Sequence, residues 1–389
     1  MLKNEWNAIA LNVDEKSPRR NEAALAERQL AHTRKVLEKV DLIREYWSKI
    51  PDENKKSFHQ VMADFMALVW RYYAIDNATH RFWFTINDCI RDYFAQKIYL
   101  IDIDKAVLQY EWIRFHYEAE KGNKQLVETI INKRTFKEFF GSRGIPVSRR
   151  IGFVQFREGT LAWRGADEDW QTLDSLWAGG RNEVFCKPEL DTQGNGCFMF
   201  ENRGGVYHID GTPCNDQDWD TYFSQPKLME EVVVNHPLLK SLHPQSLNTC
   251  RIVTACAADG EIVLLRSMLR MGVGGSTVDN LYHGGLGVII KPDGTLNELA
   301  SYHDYTRPGT PAHPDSGVVF KEVKLPYYQE AVALAKKAHS LCGGLRSAGW
   351  DVAITPNGPV LIECNVNYSI IARYGGLRHE MVKYFTPAE

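Results

Sequence analysis

The segment Gly349–Asn367, GWDVAITPNGPVLIECNVN, decides the reading of the chain. Thr355-Pro356-Asn357-Gly358 is a turn signal between two apolar runs, the signature of a hairpin. A type I turn with Pro356 at its second position and Gly358 in a left-handed bulge pairs Thr355 with Pro359, and hence Asp351 with Glu363. Side chains alternate along a strand. Asp351, Ala353, Thr355, Leu361, Glu363 and Asn365 then share one face, and Val352, Ile354, Val360, Ile362 and Cys364 the other. The second face is wholly apolar and reads as the core face. The first gathers two carboxylates and a carboxamide near one strand end. Like charges placed opposite each other are unfavourable, so a compensating partner is expected. A hard divalent cation is one such partner, because Mg²⁺ binds through carboxylates and substrate phosphates. An ordinary solvated face is the other reading.

Upstream, Ser246–Arg270 (SLNTCRIVTACAADGEIVLLRSMLR) turns at Asp259-Gly260. A two-residue loop pairs Ala258 with Glu261, and so Arg251 with Met268 and Thr249 with Arg270. Arg251, Arg266 and Arg270 then lie on one face, which suits an anionic transition state or a carboxylate substrate. A one-residue slip would separate them, and a solvated strand face stays open. Further upstream, Glu183–Phe200 (EVFCKPELDTQGNGCFMF) places Lys187 at the end of a β-run. The loop 191–196 follows, with Gly194 and Gly196, and then a second strand. Backbone N–H groups of such a loop can lie over phosphates while a lysine supplies point charge. It is not a P-loop, because the GxxxxGK[ST] string is absent. A plain hairpin is the alternative.

Around these segments, the chain has 389 residues, with 46 Lys and Arg against 49 Asp and Glu. Near-neutral charge argues against a nucleic-acid coat, which needs a basic excess. The length implies two or three core-forming units. No secretory signal and no stretch of about 20 apolar residues is visible. The eight cysteines form no CxxC pair and read as reduced thiols of a cytoplasmic protein. The first 125 or so residues read as helical. Helices are expected from Glu22 to Pro51, from His59, and over QYEWIRFHYEAE from Gln109. INKRTFKEFFGSRGIPV reads as a helix closed by Gly144 and Pro146. Strands are expected at RIGFVQF, EVFCKP, CFMFEN, GVYHI, MEEVVV, TCRIVTACA, EIVLLRSMLR, LGVII, WDVAI and VLIECN, with a helix from Tyr327 between them. This is α+β organisation with antiparallel sheets. Asp102-Ile103-Asp104 reads as a helix cap rather than a metal motif, and Cys186 and Cys364 as core thiols. His283 either faces substrate or is solvated. Trp350 is expected to pack.

Lysine plus glycine loop, then Leu228-Met229-Glu230-Glu231-Val232-Val233, then an arginine strand, then Asp…Glu-x-Asn, is an order that resembles the ATP-grasp superfamily. The strings SLNTCRIVT, VDNLYHGG, HPDSG and GWDVAITPNGPVLIECN look most like its sugar-transfer associated branch. The resemblance covers roughly residues 130 to 375. It implies an ATP-grasp fold, with two α+β subdomains gripping ATP, preceded by a mainly helical region. The corresponding division is 1–128 helical, 129–235 with glycine loop and adenine hinge, and 236–389 with the Mg²⁺ site. It implies Lys133 and Lys187 as phosphate lysines, Glu230, Glu231, Val232 and Val233 as the adenine hinge, and Asp351, Glu363 and Asn365 as ligands of one or two Mg²⁺ ions. Two departures stand out. Val234-Asn235-His236-Pro237 offers no acid for the ribose after the hinge, and the first 125 residues lack the parallel α/β pattern usual before this fold.

Three functions are compatible with this reading. A carboxylate–amine ligase would use ATP to form an acyl phosphate that an amine attacks, with Arg270 stabilising the intermediate and Arg251 orienting phosphate or carboxylate. Its substrates would be small-molecule, peptide or sugar carboxylates and amines, in polysaccharide or peptide natural-product biosynthesis. A phosphotransferase would use the same nucleotide site on a sugar or other hydroxyl. A non-catalytic nucleotide-binding scaffold would work through its helical part. The substrates and the oligomeric state are not legible in the sequence.

Overall fold

The computed structural model describes residues 30–31, 33–51, 55–76, 86–95, 97–106, 123–165, 168–190, 196–257, 259–304, 307–366, 368 and 384. The chain divides into two units. One comprises Met1–Tyr117, Asp304–Pro308 and Ser369–Glu389, and the other Glu118–His303 and Gly309–Tyr368.

The described part of the first unit is helical, with helices at Val40–Ser48, Phe58–Asp76 and Ile86–Ala95. Residues 38–39 form a turn before Val40, so the long helix expected there is interrupted. Val36, Ile43, Val61, Phe65, Tyr93 and Phe94 form its apolar core. Tyr93 donates to Asp64, which also pairs with Lys56, so the buried carboxylate is compensated. Asp102 accepts from the N–H of Asp104 and caps a short 3₁₀ turn, as expected. The segment expected to be helical from Gln109 lies outside the described residues.

The second unit holds two antiparallel sheets. The first has β1 (Arg150–Arg157), β2 (Thr160–Arg164), β3 (Gln171–Thr172), β4 (Glu183–Lys187), β5 (Phe198–Arg203), β6 (Val206–Ile209), β7 (Thr212–Pro213) and β8 (Lys227–Glu230), in the order β3-β2-β1-β8-β4-β5-β6-β7. The second has β9 (Thr249–Cys256), β10 (Ile262–Met271), β11 (Leu286–Ile289), β12 (Ser301–Tyr302), β13 (Ser347–Thr355) and β14 (Gly358–Asn365), in the order β12-β11-β10-β9-β13-β14. The strands missed in the sequence, β2, β3, β7 and β12, lie at or next to sheet edges, and three of the four are two residues long. Such pieces carry almost no periodic signal. The run expected as the strand MEEVVV stops at Glu230, and Glu231–Asn235 continue as irregular backbone.

The helix Tyr328–Ser340 packs on the second sheet. Ala331, Ala335 and Ala338 meet Trp350, Val352, Ile354, Leu361 and Cys364 in one apolar core. Small residues at that spacing let the helix approach the sheet closely. The helix Lys133–Gly141 joins the same core through Phe136 and Phe140, and Phe140 meets the Trp350 ring edge-on. Asn132 caps this helix by accepting from the N–H groups of Arg134 and Thr135, and Gly144 (φ +70°) turns the chain out of it.

The β13–β14 hairpin differs from its expected register at the turn. Thr355 pairs with Gly358, not with Pro359, leaving only Pro356 and Asn357 in the loop. The Thr355 hydroxyl tightens this turn by donating to Gly358 O and accepting from the N–H of Asn357. A β-bulge at Ile362 then restores the register, so Asp351 does pair with Glu363. The extra residue also exchanges faces. Leu361 pairs with Val352 and enters the core, whereas Val360 and Ile362 are only half-buried. The β9–β10 hairpin behaves alike. Cys256 pairs with Ile262, and a bulge at Leu265 brings Arg251 opposite Met268 and Thr249 opposite Arg270. Ala258, expected at its turn, lies outside the described residues.

Candidate active site

Register brings one row of side chains across the second sheet: Met268, Arg251, Asp351 and Glu363 are successive cross-strand neighbours on β10, β9, β13 and β14. Arg270, opposite Thr249, and Asn365, opposite Gly349, lie one step away on the same face. Gly349 is required there. A Cβ at this position would lie 2.7 Å from Cβ of Tyr368 and 3.1 Å from Cδ of Arg251. Arg266 shares the face by register, but the arginines brought to Asp351 are Arg251 and Arg270.

Asp351 is 1 % exposed. Arg251 donates to both of its oxygens, through Nε to Oδ1 and through Nη2 to Oδ2 at 3.1 Å. Arg270 Nη2 donates to Oδ2 at 2.9 Å. Asn365 Nδ2 reaches Asp351 Oδ2 at 3.4 Å and Glu363 Oε1 at 3.1 Å. Burial alone would raise the Asp351 carboxyl, but the two guanidinium groups outweigh it and hold it well below the usual range. Glu363 is pushed up, by burial and by the neighbouring Asp351. The two carboxylates therefore have different proton affinities.

Asp279 joins this group, and the sequence did not single it out. It lies on the glycine-rich connection between β10 and β11. Its Oδ2 accepts from the Thr249 hydroxyl and from the Thr249 N–H at 3.1 Å, and sits 3.4 Å from Arg270 Nη2. Leu281 on the same connection covers Gly287, the cross-strand partner of Arg270, because Gly287 has no side chain to exclude it.

A second polar cluster forms on the first sheet. Lys187, at the end of β4, lies 2.6 Å from Glu230 Oε1 as an ion pair outside hydrogen-bond alignment. Ser148 donates to Glu230 Oε2 at 2.6 Å. Lys137 donates to Ser148 and lies 3.7 Å from the same oxygen. Lysine burial is unfavourable, and with Lys187 close by the Lys137 ammonium is pushed down to about 7, against the pull of Glu230. Glu230 is held low, because Lys137 and Lys187 together outweigh the effect of its burial.

Lys137 joins the two clusters. Its Nζ also donates at 2.8 Å to the carbonyl of Ile362, the bulged residue next to Glu363. The bulge thus aims a carbonyl at the lysine and Glu363 at Asp351. Lys133, named from the sequence, is buried in the first turn of the same helix, with its N–H on Glu189 O at 3.3 Å. Glu230, expected at the hinge, contributes a buried side chain. Glu231 is tied through its N–H to Arg149 O, and no backbone hydrogen bond among the described residues uses Val232 or Val233. Gly196 adopts φ +63°, near the Lys227 ammonium, and Gly194 lies outside the described residues. Cys186 and Cys364 are buried thiols, and Trp350 is buried with its N–H on Thr254. His283 is exposed.

The donor set fits magnesium. Glu363, Asn365 and Asp351 present hard oxygens beside a lysine cluster suited to phosphates. Among the described residues no three His, Cys, Asp or Glu side chains form a ready cage. Asp351 can join only by releasing an arginine.

The chain matches the model of the family described as sugar-transfer associated ATP-grasp over residues 113–383, more than half of its length. No curated protein matches it. Among solved structures, it is similar to the ADP complex of purK, N5-carboxyaminoimidazole ribonucleotide synthetase, at 13% identity and TM-score 0.37, covering 64% of this chain and 48% of that one. Biotin carboxylase from Campylobacter jejuni follows at 11% identity and TM-score 0.39, with 68% and 48% covered. L-amino acid ligase from Bacillus licheniformis gives 14% identity and TM-score 0.34, with 67% and 47% covered. The chain spans about half the length of these proteins.

Proposed function

Because the chain belongs to the sugar-transfer associated ATP-grasp family, we propose that it is an ATP-dependent carboxylate–amine ligase forming an amide through an acyl phosphate. The observation that carries the reading is the Lys137 bridge. One ammonium touches the Ser148–Glu230 network and the Ile362 carbonyl, so a lysine pair and a carboxylate–arginine row border one site.

In this reading Lys187, Lys137, the loop ending at Gly196 and Lys133, one helix turn before Lys137, hold the triphosphate. Glu231, Val232 and Val233 hold adenine through backbone groups, beside the Glu230 carboxylate. Glu363 and Asn365, joined by Asp351, hold one or two Mg²⁺ ions, which neutralise charge during phosphoryl transfer. The carboxylate oxygen of the substrate attacks the γ-phosphorus and ADP leaves. Arg270 and Arg251 face the acyl phosphate and the oxyanion formed when an amine adds to it. The C–N bond forms, the C–O bond to phosphate breaks, phosphate departs with the electron pair, and the proton lost by the amine nitrogen goes to that phosphate. Amino acids, peptides and amino or carboxyl sugars are the substrate classes this site would serve. No helix among the described residues is long and apolar enough to cross a membrane, and a cytoplasmic location with small-molecule partners is part of the proposal.

Incubation with ATP, Mg²⁺ and panels of carboxylate–amine pairs tests it. A ligase releases phosphate and yields amide only when both substrates are present. A stable phosphorylated product from a single hydroxyl acceptor would overturn the reading in favour of a phosphotransferase.

A further inference from the structure

The arginine pair already grips an anion, and that anion belongs to the protein. Arg251 holds both oxygens of Asp351, and Arg270 holds one of them. Two-pronged contact of this kind is how arginine binds a phosphoryl or carboxylate group. Asp351 is also one of the residues assigned above to the cation. It cannot serve a cation fully while four N–H contacts, three from arginines and one from Asn365, fill its oxygens.

Arg270 has a second set of partners. Thr249 Oγ1 accepts from its Nε at 3.2 Å and its Nη2 at 2.8 Å. The Thr249 hydroxyl in turn donates to Asp279, whose Oδ2 is also 3.4 Å from Arg270 Nη2. Removing Asp351 from Arg270 therefore leaves the guanidinium fixed in direction by Thr249 and Asp279, and frees the Nη2 N–H that Asp351 held.

We propose that Asp279 is a positioning residue: with Thr249 it retains Arg270 when Asp351 turns to a divalent cation, so that the cation and an anionic substrate group bind this site cooperatively. The inference rests on the assignment of Asp351, Glu363 and Asn365 to a cation, and it adds that the cation unmasks the anion site.

The test is calorimetric titration of inorganic phosphate into the full chain, without nucleotide, with and without Mg²⁺, after correction for the magnesium–phosphate complex. Mg²⁺ is expected to tighten phosphate binding about tenfold, within the range usual for coupled sites. Asp351→Asn should bind phosphate as tightly without metal as the unaltered chain does with it. Asp279→Asn should keep its circular dichroism spectrum yet lose most of the Mg²⁺ effect, and Asp279→Glu should restore part of it. Arg270→Gln should abolish the effect and so locate the phosphate. No Mg²⁺ effect in the unaltered chain, a full effect in Asp279→Asn, or a full effect in Arg270→Gln would each overturn the proposal. If Asp351→Asn does not fold, the unaltered chain still decides. Amide synthesis is not the readout. A ligase without this coupling refutes the inference alone, and the coupling without any amide product refutes the ligase reading alone.

Discussion

Glu363 and Lys137 show how burial sets chemistry at single residues. Glu363 sits beside Asp351 on the polar face of the sheet, outside the apolar core. Glu363→Ala should therefore leave folding intact while lowering ATP turnover about 100-fold or more, comparable to loss of a group that stabilises transition-state charge. ADP release at the unaltered rate would remove it from the site. Lys137 makes a separate statement through linkage. Its folded affinity for a proton is depressed to about 7, against about 10.4 for a free lysine. Between those values the unfolded chain binds the extra proton, so stability rises with pH. Below about pH 7 the penalty is complete, and it is relieved as pH climbs. The slope has a ceiling of about 1.4 kcal/mol per pH unit for one proton. Urea denaturation from pH 6 to 8.5 should show this rise in the unaltered chain and a flatter profile in Lys137→Met. Parallel profiles would contradict the buried state of this lysine. The sequence pointed to Lys133 through the ATP-grasp resemblance and did not single out Lys137, one turn later on the same helix. Which of the two reaches Glu230 depends on Ser148 and on Ile362, the latter 225 residues away.

Two hairpins carry the polar face, and both were read with the right pairing at the site for an incomplete reason. The β13–β14 turn is one residue tighter than expected, the β9–β10 pairing beside its turn is displaced the other way, with Ala257 rather than Ala258 against Glu261, and each strand pair restores the register with one bulge, at Ile362 and at Leu265. Composition reports that charged residues alternate with apolar ones, but a bulge leaves no mark in that alternation beyond one displaced residue. The misplaced residues were Val360, Leu361 and Ile362, of which Leu361 belongs to the core. Asp279 was illegible for another reason. Its segment has no period, and only the fold brings it to Thr249, 30 residues earlier. The connection that carries it depends on Gly285. A Cβ there would lie 2.8 Å from the carbonyl oxygens of both Asn280 and Met271. Backbone oxygens cannot yield as a flexible side chain can. Gly285→Ala should destabilise the chain by about 1–3 kcal/mol, as overpacking does. It should also weaken phosphate binding, by displacing the segment that anchors Arg270. Urea midpoints and phosphate titration check this, and unchanged values in both would mean the connection is free to move.

At the scale of the chain, the near balance of 46 basic and 49 acidic residues conceals local fields of opposite purpose. Lys137 and Lys187 close on one carboxylate, and Arg251 and Arg270 close on another. Both clusters belong to the unit of residues 118–303 and 309–368. The helical unit has an apolar core of its own, around Phe65, Tyr93 and Phe94, and no residue of the proposed site. Ligand that binds only the folded state stabilises by mass action, about 2.7 kcal/mol at a hundredfold excess over its dissociation constant. For a unit of this size that corresponds to a shift of roughly 5–10 °C. Separate cores permit separate unfolding events. Scanning calorimetry should then resolve two transitions, with ADP and Mg²⁺ raising only the one that belongs to the sheet unit. Lys187→Met should abolish that shift, because it removes one of the ammonium groups proposed to hold the triphosphate while leaving Glu230 its contacts with Ser148 and Lys137. If instead ADP and Mg²⁺ raise both transitions equally, the helical unit takes part in nucleotide binding, and the site extends beyond the two sheets.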